Sequence, residues 1–261
     1  MSLKGPGRGQ LLGKMRVDEA KDCQGITVHF VSFVHSRGPV LYASLPCGPS
    51  AAETLKGCHT NVAEDKHHLI STLWGHLVAR ESPLWKRSQS LNRATLPIQV
   101  VHDPLGKPQL LLGEHRGPAV SFSEGGGRIW AALCGDDSEI GMDVAGTDEF
   151  QGKYPFQRVF HAEELQHALM LEGADMAKAS ALLWCIKEAV VKALGCGFHL
   201  VDPREICVRP SGEGGDEYTF SVCLSGKALV RFPNSAGRHL WVRSIPQGEM
   251  RLSIALLNQQ P

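Results

Sequence analysis

No two of the eight cysteines (Cys23, Cys47, Cys58, Cys134, Cys185, Cys196, Cys207 and Cys223) form a Cys-x-x-Cys pair. That absence argues against a zinc site and against a compact disulfide framework, and the thiols read as reduced groups in a cytoplasmic protein. Charge of one sign is also missing, because Lys plus Arg and Asp plus Glu each number 27. No global field therefore steers the chain toward nucleic acid or an anionic membrane, and an anionic ligand must meet a local basic patch. No basic stripe or nucleic-acid-binding motif is present, so no nucleic-acid partner is expected. Apolar runs stay short of the roughly 20 residues a membrane-spanning helix needs, and no membrane partner is expected either. The first residues carry Lys4, Arg8, Lys14 and Arg16 among glycines and lack the apolar stretch of a secretion signal. Residues 1–24 are expected to form a mobile tail.

What is present is 261 residues of which 43% are hydrophobic, enough for one large domain or two smaller ones. Ile26–Phe33 has the β-branched, near-alternating character of a strand and is followed by a Pro-, Gly- and Ser-rich loop. Leu69, Leu73, Leu77 and Val78 fall at helical spacing between Asp65 and Arg80, with Pro83 beyond. Short strands are predicted at 98–101, 110–112 and 119–122, then at 129–134 and 139–144, which places Asp143 near a strand end. In the second half, helices are predicted over 162–172, ended by Gly173, and over 176–194, stopped by Gly195 and Gly197. Strand-like runs at 205–209, 217–224, 240–245 and 251–257 follow, separated by Gly, Pro and Asn turns. Each half thus mixes helix and strand, but no residue-by-residue repeat links the two.

On the 176–194 helix, Trp184, Glu188 and Lys192 recur every fourth residue and form one stripe. An ordinary solvated Glu–Lys pair beside a packed Trp would look the same. Asp143 lies in Ile140-Gly141-Met142-Asp143, where glycine permits close backbone approach and the strand presents a carboxylate. Either signal alone is weak. Together they form an ordered set: an apolar-Gly-x-Asp strand, Phe160-x-x-Glu163-Glu164-Leu165 at a helix start, and Trp184-Cys185-Ile186-Lys187-Glu188-Ala189-Val190-Val191-Lys192-Ala193-Leu194-Gly195.

In this set the chain resembles the surfactin-synthetase-activating phosphopantetheinyl transferases. Their signature pairs Gly-[Ile/Val]-Asp with a later Trp/Phe-x-x-Lys-Glu-Ala-x-x-Lys. Asp143 and Glu188 stand 45 positions apart, and Gly106-Lys107-Pro108 is similar to the family's upstream Gly-Lys-Pro element. The resemblance covers residues 98–200. It implies an α+β fold of two similar lobes related by a pseudo-twofold, with lobes at 25–138 and 139–261 and the active cleft between them. It also implies a monomer that moves the 4′-phosphopantetheine of coenzyme A to a serine of an acyl or peptidyl carrier protein in fatty-acid, polyketide or peptide biosynthesis. Under that reading Asp143 and Glu188 hold Mg²⁺, a hard cation suited to oxygen ligands that keeps several waters. Lys107, Ser123, Lys187 and Lys192 bind coenzyme A, and Asp143, Glu188 and Lys192 form the catalytic set. Glu188 is assigned jointly as ligand and proton acceptor, with a water relay equally allowed.

Two departures from the family pattern matter. Ala145 stands where most relatives have a second acid, and Glu124, in Ser121-Phe122-Ser123-Glu124-Gly125, stands where they have a histidine that helps bind the adenosine 3′-phosphate. A carboxylate there would repel the phosphate unless it points away. Gly125-Gly126-Gly127 could offer backbone N–H donors to an anion, or be a plain strand connection. Lys66, His67 and His68 near a helix start suit a phosphate-facing patch or a solvated surface. These departures motivate an alternative: a non-catalytic relative that binds a carrier domain or a coenzyme A-like nucleotide.

Overall fold

The computed structural model describes residues 18–21, 26–33, 38–47, 61–79, 96–135, 138–151, 154–214, 217–235 and 240–258. The chain forms a mixed α and β fold with antiparallel sheets. Strands β1 (Asp18–Lys21), β2 (Thr27–Val31), β3 (Val40–Pro46), β4 (Ile98–His102), β5 (Pro108–Leu112), β6 (His115–Gly125) and β7 (Arg128–Cys134) make a seven-stranded sheet ordered β1-β2-β3-β7-β6-β5-β4. Helix α1 (Val62–Ala79) precedes β4 and buries Leu69, Ile70, Leu73, Trp74 and Leu77 against one face of that sheet. β8 (Glu139–Gly146) opens the second half. Helices α2 (Phe156–Val159), α3 (Ala162–Leu171) and α4 (Met176–Leu194) follow it, and then β9 (Ile206–Gly214), β10 (Glu217–Leu224), helix α5 (Gly226–Arg231), β11 (Leu240–Gln247) and β12 (Met250–Leu257). The second sheet is ordered β8-β12-β11-β10-β9.

The two sheets meet face to face. Val40, Tyr42, Trp130 and Ala132 of the first pack with Ile140, Met142, Val144, Leu252, Ile254 and Leu256 of the second. Period-2 alternation then turns the other side of β8, with Gly141, Asp143 and Ala145, toward α4. Most of α4 is apolar on several sides and buried, joined to Phe220, Val242, Ala255 and Leu257. The helix begins where Asp175 accepts the Lys178 amide at 3.0 Å and ends at Gly195, whose φ of 74° is left-handed. No helix among the described residues is long and apolar enough to cross a membrane.

Two segments depart from the sequence reading. β3 lies in what reads as a loop, because Val40, Leu41, Tyr42 and Ala43 are all buried between α1 and the second sheet. A strand covered on both faces has no polar alternation to reveal it. Asp18–Lys21, read as part of the tail, pairs with Thr27–Phe30 as an edge strand. Residues 1–17 of that expected tail lie outside the described residues.

Gly141 decides how close α4 comes to β8. A Cβ at this position would sit 1.9 Å from the Ala189 carbonyl oxygen and 2.4 Å from the Ala193 amide nitrogen. These are backbone atoms that cannot rotate away, so the helix would have to move. Gly141→Ala is therefore expected to cost about 3 kcal/mol or more through forced overpacking. Urea denaturation at unchanged slope measures it; a stability within about 0.5 kcal/mol of the parent would mean that the helix backbone shifts at little cost.

Candidate functional site

The close approach at Gly141 brings the stripe on α4 against Asp143. Lys192 Nζ donates to Asp143 Oδ1 at 2.8 Å and to the Phe122 carbonyl oxygen at 3.3 Å. Asp143 is 8% exposed and also accepts from Ser123 Oγ at 2.9 Å. Glu188 lies one turn before Lys192 and is half-buried. Its carboxyl is pushed up to about 7 by burial first, then by the charge of Asp143 and more weakly by Glu149, with Lys192 opposing. Each negative charge makes the next harder to form.

This mutual repulsion fits a divalent cation. Two carboxylates from different elements, Asp143 on β8 and Glu188 on α4, supply the oxygen ligands Mg²⁺ prefers, and water would complete its shell. Among the described residues no cluster of three or more His, Cys, Asp or Glu side chains is placed to hold a metal. Ala145 adds no ligand; it is buried with Phe150, Ala181 and Cys185. The Cys185 thiol donates to the backbone oxygens of Asp143 and Arg251, and burial raises it well above the usual thiol range. It fastens β8 and β12 to α4.

Ser123 was expected to bind coenzyme A, but it is buried and committed to the protein. It donates to Asp143 and its Oγ accepts the Val144 amide at 3.2 Å, while Ser121 Oγ accepts the Met142 amide at 2.9 Å. The two serines of β6 thus satisfy amides along the edge of β8 and hold Asp143 in place. Lys187 is a second correction. It is 0% exposed, and its three protons go to Glu164 Oε2 at 2.9 Å, the Pro203 carbonyl at 2.8 Å and the Ile206 carbonyl at 2.9 Å. No proton is left for a phosphate, so this lysine is structural.

Lys107 follows a tight turn that lines a small cavity. Asp103 Oδ1 accepts the amides of Leu105 and Lys107 at 2.9 Å each, and Gly106 takes the left-handed φ of 86° that the turn requires. The turn directs Lys107 Nζ to Glu139 Oε2 at 2.6 Å and to the Ala193 carbonyl at 2.9 Å, beside the end of α4. Lys66, His102, Lys107, Phe122, Lys192 and Cys196 help to line a cavity of about 230 Å³ that no carboxylate lines. A larger cavity of about 940 Å³ lies between α3 and β9, lined in part by His161, His167, Met170, Arg204 and Arg209. It holds none of Asp143, Glu188 or Lys192. The smaller cavity, with its cations next to the carboxylate pair, is the better substrate site.

Sequence reasoning missed Glu149 and Tyr154. Both lie within electrostatic reach of Glu188, and the Tyr154 phenol is raised by burial and by the charges of Glu149 and Glu188. The 3-10 turn Thr147–Phe150 that holds Glu149 carries no periodic pattern to flag it. Of the Lys66–His68 patch, only Lys66 reaches the cavity; His67 bonds through Nε2 to the Ile98 carbonyl at 3.0 Å. Glu124 does not line the cavity and instead pairs with Lys66 at 2.8 Å.

Residues 139–234 match the family model described as the 4′-phosphopantetheinyl transferase superfamily. A Synechocystis sp. protein provisionally named a 4′-phosphopantetheinyl transferase is 31% identical over 105 residues, which span 38% of this chain and 41% of that protein. A Gloeobacter violaceus holo-[acyl-carrier-protein] synthase is 34% identical over 87 residues, spanning 33% of this chain and 62% of the relative. The chain thus matches less than two thirds of the length of either relative. A solved structure described as the ACPS–CoA complex of Chronobacterium ammoniagenes is 22% identical, with a TM-score of 0.40 over 48% of this chain and 100% of that one.

Proposed function

We propose that this chain transfers the 4′-phosphopantetheine arm of coenzyme A to a serine of an acyl or peptidyl carrier protein, releasing 3′,5′-ADP in a Mg²⁺-dependent reaction. The observation that carries this reading is the meeting of Asp143, Glu188 and Lys192 beside a cation-lined cavity, within the segment that matches the transferase superfamily. We place the chain in the two-lobed, surfactin-synthetase-activating branch, as a cytoplasmic monomer with lobes at 25–138 and 139–261. Support comes from the seven-stranded sheet that precedes the matched segment and from the cavity wall, which draws Lys66 and Phe122 from one half and Lys192 from the other. A reducing compartment suits Cys47, Cys134, Cys185, Cys196, Cys207 and Cys223, all of which are free.

Asp143 and Glu188 would hold the Mg²⁺, which when bound supplies positive charge to the pyrophosphate oxygens. Lys107 and Lys192 bind and orient the anionic coenzyme in the cavity. The carrier serine Oγ forms a bond to the β-phosphorus as the bond from that phosphorus to the bridging oxygen of 3′,5′-ADP breaks. Glu188, or a water it holds, takes the serine proton, and Lys192 stabilises the charge that grows on the leaving group. Ser123 keeps Asp143 from rotating while this happens.

The carrier would dock on α3 and its neighbouring turn, where Met170 is 67% exposed and His161, His167, Arg204 and Arg209 give an apolar anchor a basic surround. Intact mass of an apo carrier protein, incubated with the chain, coenzyme A and Mg²⁺, tests the function. The expected result is a gain of one phosphopantetheine that a chelator prevents. No gain across acyl and peptidyl carriers, with coenzyme A still bound, would leave the non-catalytic reading.

A further inference from the structure

A free cysteine usually behaves as a small buried hydrophobe, as Cys134 and Cys185 do here. Cys207 and Cys223 do not. Their neighbours Ile206, Val208, Phe220 and Val222 face the core that α4 fills, so alternation turns the two thiols to the other side of the outer strand pair, β9 and β10. Cys207 is half-buried and Cys223 is exposed. The two are direct partners in the antiparallel register, and the ladder from Phe220 to Leu224 runs without a bulge. The Ser225 amide donates to the Glu205 carbonyl at 2.8 Å, and because hydrogen-bonded rungs alternate, the rung of Cys207 and Cys223, two along, is hydrogen-bonded too. Cα atoms on such a rung stand about 5.5 Å apart, a common separation across a disulfide. Cys223 Sγ lies 3.9 Å from the Cys207 carbonyl oxygen, over the backbone of its partner.

We propose that Cys207 and Cys223 are a redox-modification site, which a glutathione-type disulfide closes to a cross-strand disulfide. The exposed Cys223 thiolate attacks one sulfur of the oxidant, forming a mixed disulfide and releasing one reduced thiol. The Cys207 thiolate then attacks the Cys223 sulfur and releases the second. Two protein thiols become one disulfide, the oxidant's disulfide becomes two thiols, and the two protons the protein loses end on them. Partial burial and then the adjoining Cys207 thiol raise the Cys223 thiol, with Arg209 opposing, so mildly alkaline solution favours the attack. In reducing surroundings the pair stays open, and it closes when the poise turns oxidising. Closure ties the outer strand β9 to β10 covalently, and with it the part of the 940 Å³ cavity wall that Cys207 supplies.

Incubation of the full chain with oxidised glutathione at about pH 8.5, followed by acid quenching, alkylation and peptide mass mapping, tests this. Cleavage at Glu217 separates the two cysteines. In the parent, both thiols are expected to escape alkylation, and the linked Cys207–Cys223 peptide to exceed glutathione held at Cys223 by at least about fivefold. Dithiothreitol should restore both thiols. Uptake of glutathione by the exposed Cys47, whose amide meets the Gly127 carbonyl and not a second cysteine, shows that the oxidant is active. Cys207→Ser is expected to hold one glutathione stably at Cys223, and Cys223→Ser to slow modification of Cys207 at least about tenfold. A parent that accumulates glutathione at Cys223, links either residue to another cysteine, or keeps both thiols free while Cys47 reacts overturns the proposal. Modification of Cys207 at the same rate with and without Cys223 overturns it as well. A melting curve of each protein before oxidation checks the fold, and should either serine variant fail to fold, the parental map decides alone.

Discussion

Glu188→Gln is expected to lower phosphopantetheine transfer by at least about a thousandfold, the range seen when a group that touches the reacting atoms is removed. Gln keeps the shape of the side chain and removes its charge. The variant should lose both a metal ligand and the acceptor for the serine proton, while the packing of α4 stays as it is. Stability gives the contrasting arm. In the folded chain Glu188 is opposed by burial and by the charge of Asp143, so its carboxyl titrates near 7 instead of 4.5. A neutral amide removes that opposition, and the melting temperature should hold or rise. The pair of results separates a chemical role from a structural one. Turnover by Glu188→Gln at the parental rate would remove both the ligand and the base assignments, whatever the stability.

Much of the site was legible because its residues sit on elements with strong local signals. Helix α4 runs over Met176–Leu194 as the sequence predicts, since Asp175 and Gly195 mark its ends by side-chain capping and by a left-handed φ. The Glu188–Lys192 stripe and the Gly141-x-Asp143 strand are periodic features, and the fold brings them together through a contact that only glycine permits. Lys187 misled the reading because residue type was weighed above position. It falls on the same helical stripe as Leu183 and Val191, both buried, and so on the apolar side of α4, not beside Glu188 and Lys192. That signal was available. The serines of β6 left no comparable trace, since their role depends on β8 lying alongside, a tertiary contact with no echo in local pattern. β3 was hidden for a similar reason, being covered on both faces.

Lys187→Met is expected to destabilise the chain by about 3–5 kcal/mol, the cost of breaking a buried ion pair from one side. The methionine fills similar volume but leaves Glu164 with an uncompensated charge and strands the carbonyls of Pro203 and Ile206. Glu164 has other commitments that prevent it from leaving. It is 5% exposed and accepts the Val208 amide at 2.8 Å and the His161 amide at 3.0 Å. Lys187 and Glu164 together thus join α3, α4 and the start of β9, the outer strand of its sheet. Burial lowers the Lys187 pKa and Glu164 holds it up, and the pair survives because each partner offsets the desolvation of the other. Adding Glu164→Gln to Lys187→Met should recover a large part of the loss, because a neutral amide can still accept from a backbone N–H without an unpaired charge. Denaturation of the parent, both single variants and the double variant gives the coupling between the two residues. Coenzyme A titration of the Lys187→Met protein, at a temperature where it remains folded, is expected to agree with the parent within about twofold. A variant of parental stability with weakened coenzyme A binding would instead return Lys187 to the phosphate site, against the geometry that spends all three of its protons inside the core.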